Sequence, residues 1–384
     1  MGLFSGKPSY LGIDFDANSI KLVELKNEGG RPRLQTYGFI DKAIDQIAGN
    51  ENTNTVSQIA ELINQVCAQA KVTTTKAITA LPSYSVFSSI LNLPAMSKKD
   101  LAAAVKWEAK KVIPLPIDEM ILDWKLLDDA ETVPALVGGA EPGGEGLTKI
   151  GNNVVPGKKG NFLRINSQVK KEYVKVLLTA AAKDLVKKHI EIFKAAGLTL
   201  LSLDTESFAL IRSLVGNDKS TLMVVDIGAV VTNISIVKNS IPVLNRSIEV
   251  GGLTITKAIA NSLNINLSRA EQFKYDIGMK QDQAGQGSVP KTIETTLTPI
   301  VDELRYSLNL YRNKDQKNIE KVILTGGSSL LLNLAEYLSK VLDLRVFLGD
   351  PWARIIYPQE LKPVLDEIGP RFSVAVGLAM RDIE

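Results

Sequence analysis

The feature that most constrains this chain is a strand-turn-strand pattern that occurs twice, about half the chain length apart. The first copy, LGIDFDANSIKLVEL at residues 11–25, has an apolar run that ends at Asp14 and a second that opens at Lys21. The second copy, TLMVVDIGAVVTNISIV at residues 221–237, again sets an aspartate, Asp226, between two apolar runs. A repeat at this spacing predicts two similar lobes that face each other, each built on an antiparallel hairpin.

Composition narrows the classes of function. The 384 residues exceed one ordinary core and favour two domains, and a net charge of +3 is too small to argue for nucleic acid. One cysteine, Cys67, and one histidine, His189, can form neither an internal disulfide nor a histidine metal site, so any metal is expected to bind oxygen ligands. No stretch reaches the ~20 apolar residues of a membrane span, and MGLFSGKPSY lacks the apolar core of a secretory signal. We therefore expect a cytoplasmic protein without direct membrane insertion.

Between the two copies, the pattern predicts a mixed βαββα module. SKKDLAAAVKWEAKKVI reads as a helix that begins at Ser97, and AKDLVKKHIEIFKAAG as a helix that ends at Gly197. Residues 128–166 are rich in glycine and proline and predict a long loop.

A third signal follows the second copy. In KVILTGGSSLLLNLAEYLSKVL, an apolar strand runs into glycines and then into a predicted helix that carries Leu330, Leu331, Leu334 and Leu338. Glycines let the backbone approach a ligand, and a helix start offers free N–H groups. Such junctions also occur without any ligand, so this signal is weak by itself.

Taken together, the three signals favour a nucleotide. A tight turn turns several N–H groups to one side and forms a nest for phosphate oxygens, while an aspartate at the strand end can hold the water shell of Mg²⁺. Asp14 and Asp226 would then act as magnesium ligands through water, Lys21 would face the phosphates, and Thr232 would offer a hydroxyl. For either aspartate alone, ordinary turn chemistry is the alternative explanation.

The order of these motifs resembles that of the actin, Hsp70 and sugar-kinase superfamily. The segment LPSYSVFSSILNLPAMSKKDLAAAVKWEAKKVIPLPIDEMILDWKLL resembles the PilM family of type IV pilus assembly proteins. LDTESFALIRSL, IEVGGLTITKAIANSL with SRAEQFK, and GDPWARI are similar to the same family. The resemblance implies an α/β, two-lobed actin-like fold of ribonuclease-H-like repeats with an FtsA-type inserted subdomain. It also implies ATP and Mg²⁺ in the cleft between the lobes.

The resemblance also implies boundaries for the parts of the chain. We expect the first lobe at 1–82, the inserted subdomain at 83–198, a connecting helix at 199–219, the second lobe at 220–354 with a helical subdomain at about 254–318, and a C-terminal helix that returns to the first lobe at 355–384.

The family's site residues carry over to matching positions of this chain, and none of them is expected to be catalytic. The first phosphate loop would contain Asp14, Ala17, Asn18, Ser19 and Lys21, and the second Asp226, Gly228 and Thr232. We expect Gly251 and Gly252 to lie near the nucleotide, and Glu271 and Lys274 to flank the ribose and adenine. Gly326, Gly327 and Ser328 are expected to cover the adenosine.

Two departures from the family pattern bear on activity. Asp16 stands where relatives usually carry glycine, which adds a negative charge beside N–H groups that would face phosphate. Ala229 and Val230 stand where hydrolysing relatives keep polar residues or glycine, so nothing obvious would polarise an attacking water. We therefore expect nucleotide binding with slow or absent hydrolysis.

The function implied by the resemblance is a scaffold of the pilus machinery at the inner membrane, active in twitching motility. It would bind the N-terminal cytoplasmic tail of PilN in a groove beside the inserted module, and through it reach PilO and the pilus motor ATPases. Trp107 and Trp124 are read more simply as core aromatics than as contacts of that peptide. An FtsA-like filament-former, with a homo-oligomer left open, and a small-molecule kinase of the same superfamily are the alternatives.

Overall fold

The structure, a computed structural model, describes residues 8–16, 18–41, 56–127, 173–280, 288–315 and 318–383. The chain divides into two compact units: residues 1–89, 115–122 and 179–384 form the first, and residues 90–114 and 123–178 the second. In the described part, no helix combines the length and apolar character needed to cross a lipid bilayer.

The strands and helices are as follows. The strands are β1 (Ser9–Phe15), β2 (Ser19–Asn27), β3 (Pro32–Asp41), β4 (Lys76–Leu81), β5 (Val86–Pro94), β6 (Met120–Leu127), β7 (Tyr173–Ala182), β8 (Thr199–Thr205), β9 (Leu222–Ile227), β10 (Thr232–Lys238), β11 (Ile241–Ile248), β12 (Lys321–Thr325) and β13 (Arg345–Leu348). The α-helices are α1 (Val56–Gln69), α2 (Lys98–Val112), α3 (Lys183–Ala195), α4 (Glu206–Leu210), α5 (Gly252–Leu263), α6 (Leu267–Ile277), α7 (Ser288–Asp315), α8 (Leu334–Leu342) and α9 (Lys362–Met380).

Within the residues that the structure describes, the first unit contains two five-stranded sheets of the same construction. Their strand orders are β3-β2-β1-β4-β8 and β11-β10-β9-β12-β13. In each sheet the first three strands of the chain pair antiparallel and the last two add in parallel. The repeated sequence pattern therefore corresponds to a repeated sheet, with Asp14 and Asp226 at equivalent positions near the ends of β1 and β9.

The side chains of β9 alternate between the two faces of the second sheet, so this strand contributes to two hydrophobic clusters. Met223 and Val225 pack with α5 to α8 on one face of the second sheet. Leu222 and Val224 point to the other face and join Ile78 of β4 and Leu378 of α9 in a shared cluster. Successive side chains of a strand point to opposite faces, so the apolar run at residues 222–225 of β9 is expected to be buried on both. The two sheets are thereby joined through a common apolar core.

Helix α3 packs with the first sheet. Its Ile192 and Phe193 are fully buried in the cluster that holds Ile59 and Ile63 of α1 and Leu11 of β1. Gly197, with φ of +71°, follows this helix as predicted. The boundaries between the parts of the chain stay predictions, but the last helix of the βαββα pattern contributes its apolar face to the core of the first sheet.

The prediction for the glycine junction is wrong in one respect. A single 3₁₀ turn, Gly327–Leu330, follows β12, and the α-helix begins only at Leu334, after Asn333 in a left-handed conformation. The free N–H groups of an α-helix start therefore do not lie at the glycines.

The second unit contains α2 and parts of β5, β6 and β7, which form a three-stranded sheet in the order β5-β7-β6. Ser97 caps α2 by accepting a hydrogen bond from the Asp100 N–H, as predicted, and Leu101, Val105 and Ala109 form its buried face. Trp107 lies on another face and is 64% exposed, so its reading as a core aromatic is wrong. Trp124 on β6 is half-buried. The predicted loop at 128–166 lies outside the described residues.

Candidate functional site

The first acidic turn is closed by a buried lysine. Antiparallel pairing of β1 and β2 sets Asp14 opposite Lys21, and the Lys21 Nζ lies 3.1 Å from the Asp14 Oδ2 and 3.2 Å from the Asp16 Oδ2. Burial by itself lowers the pKa of Lys21, but the charges of Asp14 and Asp16 outweigh burial and raise that pKa above its usual value. Burial also raises the pKa of Asp14, against the effect of Lys21. Lys21 therefore stays charged and holds both carboxylates.

Asp16 takes the backbone donors of the same turn. Its Oδ1 accepts hydrogen bonds from the N–H groups of Asn18 at 2.6 Å and Ser19 at 2.7 Å. Burial would raise the pKa of Asp16, but Lys21 and these two N–H groups lower it. The N–H groups of Asn18 and Ser19, which the sequence predicts to face phosphate, thus donate to the Asp16 side chain. Ala17, the remaining residue of this loop, lies outside the described residues.

The second acidic turn has the same register with a neutral partner. Asp226 lies opposite Asn233, which occupies the position that Lys21 has in the first sheet. Burial, followed by the negative charge of Asp14, raises the pKa of Asp226 to about 7. Thr232 donates its hydroxyl hydrogen to the Val250 carbonyl at 2.6 Å, so this hydroxyl is engaged in the turn.

Glycines bring three segments of the second lobe into close contact. The Gly252 N–H donates to the Gly228 carbonyl at 2.9 Å, and the Ser328 hydroxyl lies 3.5 Å from the same carbonyl. A Cβ at Gly252 would overlap the Ser328 hydroxyl, and a Cβ at Gly251 would come within 2.7 Å of the Ala229 backbone. Only glycine fits where the backbones approach this closely.

The glycine junction contacts the second acidic turn. Gly326 has φ of +85°, and a Cβ there would overlap the Asp226 carboxylate. Gly327 lies next to the Arg371 side chain of α9. The glycines thus let β12 end directly against Asp226.

A buried lysine marks the other end of the site. Lys274 is 2% exposed, and its Nζ donates to the Glu271 carboxylate at 2.7 Å, to the Thr256 hydroxyl at 3.0 Å and to the Gly252 carbonyl at 3.3 Å. Thr256 also donates to Glu271. Burial lowers the pKa of Lys274, while Glu271 acts against that shift. Glu271 and Lys274, predicted from AEQFK, thus form an ion pair beside Gly252 in which Lys274 is buried and Glu271 is partly exposed.

Glu206 belongs to the acidic cluster although it is not among the residues predicted from the sequence. This residue opens α4 directly after β8, and its Oε2 accepts hydrogen bonds from the Ser83 N–H at 2.8 Å and the Asn233 Nδ2 at 3.2 Å. Burial, followed by the charge of Asp14, raises the pKa of Glu206 to about 8. Its signal in the sequence was an acidic residue at a strand end in LDTES, the same position that drew attention to Asp14 and Asp226.

The structure thus assembles most of the predicted residues in the first unit. These residues form two groups. The group around the acidic turns contains Asp14, Asn18, Ser19, Lys21, Asp226 and Thr232. The group around Lys274 contains Gly228, Gly251, Gly252, Glu271, Lys274, Gly326, Gly327 and Ser328. Gly326, which touches Asp226, and Ser328, which touches Gly252, connect the two groups.

The donor set fits a hydrated divalent cation and a nucleotide. Burial and neighbouring carboxylates raise the pKa of Asp14, Glu206 and Asp226. Among the described residues, Lys21 is the lysine that pairs with Asp14 and Asp16, so the cluster carries an excess of negative charge. No cluster of three or more carboxylate, histidine or cysteine ligands forms a direct metal cage in the described part of the chain. Carboxylates that act through water are how Mg²⁺ is commonly held. The buried Asn18 Oδ1 has no hydrogen-bond partner, which leaves a polar group of the first loop for a ligand.

Comparison with known proteins gives a family and a fold. A family model described as type IV pilus assembly protein PilM matches residues 12–138 and 161–383. A solved PilM-PilN type IV pilus biogenesis complex is 26% identical, covers 99% of this chain and 100% of its own, and superposes with a TM-score of 0.74. The ethanolamine utilization protein EutJ from Carboxydothermus hydrogenoformans, at 15% identity, covers 98% of this chain and 90% of its own with a TM-score of 0.52.

A cell division protein is also similar over part of its length. FtsA of Neisseria meningitidis serogroup B is 28% identical over 176 residues, which are 40% of this chain and 41% of FtsA. These comparisons confirm the predicted two-lobed actin-like fold and the predicted family resemblance.

Proposed function

The chain belongs to the PilM family of type IV pilus assembly proteins, and from this membership we propose that it is an actin-like, ATP-binding scaffold of the pilus complex at the inner membrane. One observation carries the nucleotide part of the proposal. Glu206, whose carboxylate accepts the Ser83 N–H, also accepts a hydrogen bond from Asn233, the residue opposite Asp226, and the charges of Asp14 and Lys21 act on the pKa of Asp226. Two such turns can grip an anionic ligand from both sides.

Each group in the cluster has a proposed role toward Mg²⁺ and ATP. Asp14 and Asp226 hold the water shell of Mg²⁺, which neutralises the charge of the phosphates. Lys21 pairs with phosphate oxygens. Lys274 and Glu271 bind the ribose and adenine end, where Gly252 allows close approach.

The protonation state of Glu206 affects how readily bound ATP could be hydrolysed. A carboxylate takes a proton from water only when it is ionised, and a pKa of about 8 keeps much of Glu206 protonated at neutral pH. This supports binding with slow hydrolysis. It also replaces the expectation that no residue is available to polarise a water molecule.

The partner we propose is the N-terminal cytoplasmic tail of PilN. The support is a solved relative that is a PilM-PilN complex and aligns over nearly all of this chain. An extended peptide is held by backbone hydrogen bonds and a few side-chain pockets. Trp107, exposed on α2 in the second unit, is the side chain we assign to that contact, and the half-buried Trp124 on β6 is a second candidate. Through PilN the chain would reach PilO and the motor ATPases, and would sit in the cytoplasm against the inner membrane.

The partial match to FtsA supports one second candidate, a filament-former. It would pellet with ATP in a concentration-dependent manner, whereas the scaffold would stay in the supernatant at the same concentrations.

A peptide titration tests the scaffold. Fluorescence polarisation of a labelled PilN N-terminal peptide is expected to saturate with the wild-type chain, with a scrambled peptide as control. Trp107→Ala is expected to weaken this binding at least tenfold. Tyr306→Ala, which removes an aromatic ring that is 51% exposed on α7 of the first unit, is the matched control and should change nothing. Absence of saturation with folded wild-type chain would refute the PilN assignment.

A nucleotide titration tests the site. Isothermal titration is expected to show ATP binding that requires Mg²⁺, and Asp14→Ala should reduce the affinity in the presence of Mg²⁺ only. Equal affinity with and without Mg²⁺ would contradict the roles of Asp14 and Asp226.

A further inference from the structure

The donors of the first turn are already bonded to an anion of the protein itself. Successive N–H groups in a turn form a nest that suits a phosphate oxygen. In this chain the nest at Asn18 and Ser19 holds the Asp16 Oδ1, at 2.6 and 2.7 Å. The Ser19 hydroxyl lies 3.3 Å from the same oxygen and 3.2 Å from the Asp16 Oδ2, and the Lys21 Nζ lies 3.2 Å from that Oδ2. Two N–H groups, a hydroxyl and an ammonium thus surround one carboxylate.

The arrangement of the site sets which part of a nucleotide meets this carboxylate. Contacts run from Lys274 to Gly252, from Gly252 to Ser328 and from Ser328 to the Gly228 carbonyl. The contacts continue from Gly326 to Asp226, and from Asn233, which lies opposite Asp226, to the Glu206 carboxylate. If the base lies at the Lys274 end, the phosphates run toward the acidic turns. Asp16 then faces the last phosphate.

We propose that the Asp16 carboxylate takes the place of the terminal phosphate in the first turn, so that the chain binds a nucleoside diphosphate more tightly than the triphosphate. This inference rests on the proposed nucleotide site and specifies its ligand. A third phosphate brings about one to two further negative charges to donors that Asp16 already holds, and like charges that share the same donors repel each other. A diphosphate ends before this carboxylate and leaves its hydrogen bonds intact.

ATP can enter only when Asp16 releases Asn18 and Ser19. Its side chain is 44% exposed, so it can turn toward solvent, whereas Asp14, at 13%, stays against Lys21. The cost of ATP binding therefore includes breaking the hydrogen bonds of this turn, and removal of Asp16 should relieve that cost for ATP alone.

The test is a titration of ATP and ADP, each with Mg²⁺, against the wild-type chain and two variants. The wild type is expected to bind ADP at least tenfold more tightly than ATP. Asp16→Gly, which removes both the acceptor and the charge, should raise ATP affinity at least tenfold and change ADP affinity less than threefold. Asp16→Asn keeps an oxygen for Asn18 and Ser19 but removes the charge, so a smaller gain for ATP is expected.

Asp218 provides a matched control. Its Oδ1 accepts the Ser220 N–H at 2.8 Å and its Oδ2 pairs with the Lys321 Nζ at 2.6 Å, so it has the same type of turn and lysine contact before the start of β9. Asp218→Asn should leave the ratio of ATP to ADP affinity unchanged. Thermal unfolding of each variant checks that it is folded.

The outcomes separate this inference from the proposed function. Equal affinities for ATP and ADP in the wild type, with a ratio that Asp16→Gly does not move, would overturn the role of Asp16 and leave nucleotide binding intact. No binding of either nucleotide to any folded variant would overturn the proposed nucleotide site together with this inference. A gain for ATP in Asp16→Gly but not in Asp218→Asn would support it.

Discussion

Substitution of Glu206 by glutamine should make the protein less sensitive to rising pH. Glu206 has an ordinary pKa of 4.5, which burial and the charge of Asp14 raise to about 8 in the folded chain. An acid whose pKa is raised on folding binds more protons in the folded state than in the unfolded state between these two values. Stability is therefore greatest below about pH 4.5 with respect to this group, and is lost as the pH rises toward 8.

The magnitude follows from the shift. One pKa unit corresponds to about 1.4 kcal/mol, so ionisation of Glu206 lowers the free energy of unfolding by about 3 kcal/mol between about pH 5 and pH 8. Glutamine keeps an oxygen for the Ser83 N–H and carries no charge. Glu206→Gln should thus resemble the wild type at about pH 5 and exceed its free energy of unfolding by about 3 kcal/mol at about pH 8.

Urea unfolding at a series of pH values measures this difference. Trp352 is 1% exposed in a buried cluster that also contains Val23 and Leu25 of β2, so its fluorescence reports unfolding of that cluster. Glu360→Gln, at an exposed glutamate, is the control and should follow the wild type at every pH. A pH dependence of Glu206→Gln that is parallel to that of the wild type would mean that Glu206 is ionised throughout, and the argument from burial would be refuted.

Three further substitutions and reactions have definite outcomes. Lys21→Met leaves the buried Asp14 without its ion-pair partner and should lower the free energy of unfolding by about 3–5 kcal/mol in urea titrations. Gly326→Ala forces a Cβ onto a residue with φ of +85° beside the Asp226 carboxylate, so a loss of at least about 1–2 kcal/mol in stability is expected, and wild-type stability would contradict the close approach. Because burial, followed by the charge of Glu24, raises the pKa of Cys67 to about 11, iodoacetamide at about pH 8 should alkylate it over tenfold more slowly in the folded chain than in urea, as mass spectrometry would show.

The repeated hairpins could be predicted because their information is local. Apolar runs that flank an aspartate and a short turn specify an antiparallel pair, and pairing sets Asp14 opposite Lys21 without reference to the rest of the chain. The same holds for the Ser97 cap and for Gly197 after α3, since each depends on a few neighbouring residues. The sequence also contained the family pattern over most of its length.

Other features depended on which segments meet in space. Nothing near Glu206 in sequence shows that Ser83 and Asn233 bind its carboxylate beside Asp14 and Asp226, because those contacts join separate strands and helices. Trp107 has a large aromatic side chain of the kind usually found in a core. It lies at the surface because α2 packs through Leu101, Val105 and Ala109 on another face.

Asp16 shows most clearly which features follow from the sequence and which follow from the tertiary structure. The sequence by itself determined that this chain carries a second carboxylate in its first turn, where a negative charge should disfavour phosphate. The tertiary structure decided the direction of that carboxylate, which turns inward to Asn18, Ser19 and Lys21. The physical reason is that the local sequence fixes how many charged side chains the turn contains. The hydrogen-bond partners of those side chains depend on their orientation and on the burial of Lys21 between two strands.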